Sequence, residues 1–71
     1  MPSVSWEDVA KYIEASFNAG GMVDRSMALE IAFNQQAPDS VVDAIDGLGS
    51  KMFPNPEAAR QFLKEKGYIT G

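Results

Sequence analysis

Asn55-Pro56-Glu57-Ala58-Ala59-Arg60-Gln61-Phe62-Leu63-Lys64-Glu65-Lys66-Gly67 is a helix with both ends written into it. Asn55 brings a side-chain oxygen to the N–H groups that a helix start leaves unpaired. Pro56 is placed where its missing N–H is not needed, and Glu57 puts negative charge at the positive end of the helix dipole. Ala58, Ala59, Phe62 and Leu63 recur at helical spacing and form an inner face. Lys64 and Lys66 fall in the last turn, where cations suit the dipole, and Gly67 terminates the run.

The residues before it repeat this grammar. Ala37-Pro38 opens a helix in which Val41, Val42, Ile45 and Leu48 face inward and Asp39, Asp43 and Asp46 face outward; Gly47 and Gly49 end it. The connector Ser50-Lys51-Met52-Phe53-Pro54 carries two large apolar residues expected to pack back on the core, as are Tyr68 and Ile69 after the last helix. A helix from about Asp24 to Gln36 has Met27, Ala28, Ile31 and Ala32 on one face and Leu29 and Phe33 beside it. Together these cover roughly 240° of its circumference, leaving a polar strip around Glu30 and Asn34. The first helix opens at Ser5-Trp6-Glu7-Asp8, with Trp6, Val9, Ala10, Ile13 and Phe17 as its stripe, Glu7 and Lys11 as an i,i+4 pair, and Gly20-Gly21 as its end. No stretch alternates long enough to predict a strand, and there is no repeat or low-complexity linker. The fold class is therefore all-α: a single domain over 1–71, a compact bundle of four short helices at about 5–18, 24–36, 38–47 and 55–66. The wide apolar arc puts the second helix at the centre, with the other three around it.

Composition narrows the function. The chain of 71 residues has no histidine and no cysteine, which removes the commonest general base near neutral pH, the commonest metal ligands and all thiolate chemistry. A formal charge of −4 works against phosphate backbones and anionic lipid. No apolar run is long enough to span a bilayer. Met1-Pro2-Ser3-Val4 lacks the basic and apolar segments of a secretory signal, and the absence of cysteine fits a reducing compartment, so a cytoplasmic location is expected.

From about Ser26 to Ile69 the chain resembles a family of short, acidic, helical bacterial domains of unknown function. The resemblance rests on Ala37-Pro38-Asp39-Ser40-Val41-Val42-Asp43-Ala44-Ile45-Asp46-Gly47-Leu48, then Phe53, then Asn55-Pro56-Glu57-Ala58-Ala59. Gly20-Gly21 and Tyr68-Ile69-Thr70-Gly71 depart from the short members. The resemblance implies a compact helical fold and brings no activity, cofactor or catalytic residue.

Each chemical motif has a plain structural reading beside it. Asp39, Asp43 and Asp46, at i, i+4 and i+7, offer too few ligands for a hard cation and read as a solvated helix face. Asp39-Ser40-Val41 resembles the attachment motif of acyl carrier proteins, small acidic four-helix proteins in which a serine at a helix start carries a phosphopantetheine arm. Here a proline precedes the motif and glycines cut the following helix short, and Ser40 otherwise serves an early-helix N–H. A helix-turn-helix across the second and third helices would present three aspartates where DNA readers place Arg, Lys, Asn or Gln. The glycine pairs have no phosphate-loop spacing and read as helix ends. A serine nucleophile would need a base, for which lysine is the one candidate considered, and an oxyanion site, and short helices are not expected to form a deep cleft of the several hundred Å³ typical of ligand sites.

The reading is a non-catalytic interaction module or accessory subunit, binding another protein or itself, with no cofactor, metal, membrane or nucleic acid. Leu29 and Phe33, joined by Tyr12 as the aromatic lying off its helix's stripe, are the candidate partner-binding residues; simple core packing is their plain alternative. A carrier protein modified at Ser40 is the alternative from another class, and a helix-turn-helix nucleic-acid binder the third.

Overall fold

The computed structural model describes residues 4–70; Met1-Pro2-Ser3, read above for a targeting signal, and Gly71 lie outside the described residues. In chain order the elements are β1 (Val4–Ser5), α1 (Trp6–Gly20), β2 (Val23–Asp24), α2 (Arg25–Asn34), α3 (Asp39–Asp46), β3 (Met52–Phe53), α4 (Pro56–Glu65) and β4 (Ile69–Thr70). All four expected helices are present, with ends within two residues of their expected positions. The fold is mostly helical but not purely all-α. β1 pairs with β4 in parallel, Val4 opposite Ile69 and Ser5 opposite Thr70. β2 pairs with β3 antiparallel, Val23 opposite Phe53 and Asp24 opposite Met52. Strands of two residues carry no alternation to detect, which is why the sequence pattern misses them.

The helix at the centre is α1, and this corrects the expectation for α2. α2, α3 and α4 all pack against α1. α2 buries only Ala28 and Ala32, while Leu29 and Ile31 are half-buried and Phe33 is exposed. Two small residues on the inner face let α2 lie close to its neighbours, and its larger apolar residues fall to the flank. In α1, meanwhile, Val9, Tyr12, Ile13 and Ser16 are buried and Trp6, Ala10 and Phe17 half-buried. At about 100° per residue the four buried residues span roughly 100°, and their centre is rotated by roughly 60–70° from the stripe read in the sequence. Tyr12 is therefore in the core at 3% exposure, against the expectation that it lies at the surface.

Val41, Ala44 and Ile45 of α3, Leu48, Ala59 and Leu63 of α4, and Ile69 complete the interior with Val23 and Phe53. The connector divides in two: Phe53 packs inward at 5.2 Å from the Phe62 ring, whereas Met52, expected to pack with it, is 55% exposed. Successive strand residues face opposite ways, so burying Phe53 turns Met52 outward.

The caps differ in chemistry. The Asn55 side chain accepts from the Ala58 N–H at 2.8 Å and that of Asp24 from the Ser26 N–H at 3.3 Å. Ser5 stands at the N-cap of α1 but makes no cap bond; its hydroxyl donates to the Asp8 carboxylate at 3.1 Å. α3 starts after Pro38, whose side chain has no oxygen to cap with. The expected Glu7–Lys11 pair is not among the ion pairs of the described residues; the Lys11 ammonium lies 5.2 Å from the centre of the Tyr12 ring.

α2 and α4 end in the same double hydrogen bond. Gly67 N–H donates to the Lys64 carbonyl and Tyr68 N–H to that of Leu63; Gln36 N–H donates to Phe33 and Ala37 N–H to Ala32. The motif needs a left-handed residue, and α4 supplies glycine at φ 81° where α2 uses Gln36 at φ 57°. A side chain in that region carries a steric penalty of roughly 1–2 kcal/mol, partly offset by the greater freedom glycine loses on folding. Replacing Gln36→Gly is expected to stabilise the chain by about 1 kcal/mol, raising Tm by about 5 °C. Thermal denaturation followed by circular dichroism measures this directly; a lowered Tm contradicts the cap assignment.

Gly47 answers a different need. Its φ of −64° suits any residue, but a β-carbon there would come within 2.6 Å of the Tyr68 ring. The ring lies flush on the end of α3 and fastens the segment leading into β4. Gly47→Ala is expected to lose about 1–2 kcal/mol by displacing that ring. In a Tyr68→Ala background the same change should be neutral or slightly stabilising, since alanine is the better helix former. Urea denaturation of the four proteins gives this coupling, and equal costs in both backgrounds would rule out the ring contact as the cause.

Candidate functional site

The candidate partner-binding residues do not form one patch. Tyr12 is buried in α1 and drops out as an exposed contact. Leu29 and Phe33 lie one turn apart on α2, the first half-buried against the core and the second 62% exposed. The exposed residues after Phe33 are uncharged: Asn34, Gln35 and Gln36, the last held left-handed. Among the described residues, Met22, Met52 and Tyr68 are the other large apolar residues with substantial exposure. Met22 and Met52 fall on the outward side of the β2–β3 ladder, because Val23 and Phe53 face in.

The acidic stripe of α3 is divided. Asp46 accepts from the Arg25 guanidinium at 2.7 Å, while Asp39 and Asp43 are exposed. Arg25 begins α2 and Asp46 ends α3, so each charge sits at the unfavourable end of its own helix dipole, and the two compensate each other. Both are well exposed, which keeps the net worth of the pair below about 1 kcal/mol. Among the described residues no group of three or more acidic side chains converges to hold a metal ion, and no helix is long and apolar enough to cross a membrane.

Among the described residues two grooves, both widely open to solvent, have volumes of a few hundred Å³; neither is a deep cleft. One, of about 490 Å³, lies where the start of α1 meets α4 and β4, and is lined by Ser5, Trp6, Glu7, Arg60 and Thr70. The Arg60 guanidinium stands 5.6 Å from the centre of the Trp6 ring and 3.9 Å from the Glu57 carboxylate. The other, of about 370 Å³, lies between α1 and the start of α3. Glu7, Asp8, Lys11 and Tyr12 line it from one side and Pro38 and Ser40 from the other. Ser40 is exposed there, so its hydroxyl is accessible. Both clefts form where helix ends diverge, a property of tertiary packing that spacing along one helix does not report.

Ser16 is the polar residue that sequence reasoning missed. It is wholly buried, accepts from the Asp24 N–H at 3.1 Å, and its hydroxyl proton faces the carbonyls of Asp24 at 3.3 Å and Met22 at 3.4 Å. It thereby fixes the turn from α1 into β2 and the residue that caps α2. The signal was present: Val9, Ile13 and Ser16 follow i, i+4, i+7, so a hydroxyl stood on an apolar face. Its role is structural, since burial leaves it no access to a ligand.

Compared with protein-family models, with curated proteins and with solved structures, the chain has no match.

Proposed function

We propose that the chain is a small non-catalytic interaction module or accessory subunit that binds a protein partner, another protein or a second copy of itself, through the end of α2. The observation that carries this reading is Phe33, 62% exposed beside the uncharged turn Asn34-Gln35-Gln36. Interface centres are depleted in charge and enriched in aromatic anchors, and this stretch has both properties in a chain where acids outnumber bases. Gln36 supports it as well, because a left-handed glutamine gives up stability that glycine would supply and keeps an amide at the surface. The absence of histidine and cysteine fits a role without catalysis.

Separate substitutions test it. Phe33→Ser should leave stability within about 0.5 kcal/mol, as surface changes do, while abolishing partner capture or self-association. Leu29→Ser should lower stability by about 1–3 kcal/mol, because half its side chain leaves the core. Denaturation curves beside cross-linking and sedimentation of both variants distinguish the outcomes. A Phe33→Ser protein that unfolds, or that keeps every partner, sinks the reading.

One observation favours the carrier alternative: Ser40 is exposed and lines the 370 Å³ cleft, as does Lys11. Pro38 before it and an α3 of eight residues weigh against it. Intact mass of protein from the native host is expected to equal the sequence mass; a gain of one phosphopantetheine, lost in Ser40→Ala, would establish the carrier role instead. Nucleic-acid binding has less support, since α3 presents Asp39 and Asp43 to solvent.

A further inference from the structure

We infer that the cleft between α1 and the start of α3 is a binding site for a small zwitterion of the amino-acid type, its carboxylate met by the start of α3 together with Tyr12 and Lys11 and its ammonium by Glu7 and Asp8. The inference is independent of the role proposed for Phe33.

The first observation is Tyr12. It is buried to 97% of its surface, yet its hydroxyl makes no hydrogen bond with any described residue. No fully buried side-chain oxygen or nitrogen among the described residues lacks a partner, so the small part of Tyr12 left accessible includes that hydroxyl. Tyr12 lines this cleft, and its hydroxyl emerges there. A phenol held in the core, with an accessible hydroxyl that no protein group engages, can donate to a ligand in the cleft.

The second observation is the start of α3. Pro38 stands at the N-cap and makes no side-chain cap. The N–H groups of Val41 and Val42 both return to the Pro38 carbonyl, at 3.0 and 3.1 Å, and those of Asp39 and Ser40 have no partner among the described residues. The positive end of the α3 dipole, the Ser40 hydroxyl, the Tyr12 hydroxyl and the Lys11 ammonium therefore border one space. This donor set suits a carboxylate.

The opposite charge decides the ligand class. Glu7 and Asp8 line the same cleft, and with Lys11 they leave it one negative charge in excess. A lone anion is repelled by that balance, and a lone cation leaves the donors unmatched. A molecule carrying both charges a few bonds apart satisfies both ends, and a volume of about 370 Å³ is at the small end of ligand sites.

The test is a ¹H–¹⁵N NMR titration of the whole chain with each of the standard L-amino acids, with acetate and methylammonium as the separate halves. Saturable shifts confined to Lys11, Tyr12, Asp39, Ser40 and Val41 are expected for at least one amino acid at low millimolar concentration. Acetate and methylammonium should each bind at least about tenfold more weakly, as befits the loss of one charge-assisted contact. Tyr12→Phe should weaken binding by about tenfold while leaving Tm unchanged, since the hydroxyl it removes has no partner in the protein. Ser40→Ala, at an exposed position that tolerates change, should also weaken binding and carries the test if Tyr12→Phe loses its fold. The site is refuted if no amino acid gives saturable shifts there, if acetate alone binds as well, or if binding survives Ser40→Ala and a folded Tyr12→Phe unchanged.

Discussion

The covering of α1 by the three shorter helices is the constraint on which the rest of the structure depends. A fifteen-residue helix covered along one face must accommodate the polar groups it carries there, the hydroxyls of Tyr12 and Ser16. They are resolved in opposite ways. Ser16 lies wholly inside and spends its hydroxyl on the backbone of the following turn. Tyr12 keeps its ring inside and lets its hydroxyl out at a cleft. The same helix thus sets the route of the chain after Gly20 and lines the cleft beside the start of α3.

Local signals were the legible ones. Asn55 and Gly67 act at the positions and with the backbone groups that their chemistry implies, because a cap is decided within four residues. The inner face of α4 was equally readable, since Ala59 and Leu63 are its buried residues and Ala58 and Phe62 flank them. What was not legible depends on partners distant in sequence. Tyr12 looks peripheral until α1 is known to be covered on a wide arc. The apolar circumference of α2 looks central until its two alanines are seen to make the contact and its larger residues to flank it. Hydrophobicity counts residues; packing also asks how closely backbones can approach, and small side chains win that contest.

The candidate site divides along the same line. The exposure of Phe33 could be entertained from its place on a broad apolar arc, and so could the accessible hydroxyl of Ser40 from its place at a helix start. The cleft joining Ser40 to Lys11 and Tyr12 could not, because it is made by two helices almost thirty residues apart in the chain. Glycines show a similar division. Gly67 takes the left-handed cap its sequence context suggests, whereas Gly47 has right-handed geometry and is needed for the aromatic ring lying against it.

The pairing of β1 with β4 has a mechanical side. The two strands run parallel, so Val4 opens its strand at one end of the ladder and Thr70 closes the other strand at the opposite end. Tension applied between those ends loads the ladder lengthwise and strains its hydrogen bonds together, in shear, instead of peeling them apart in turn. Pulling on Val4 and Thr70 in opposite directions therefore loads both residue pairs of this short ladder at once, a geometry set by the parallel sense of the strands.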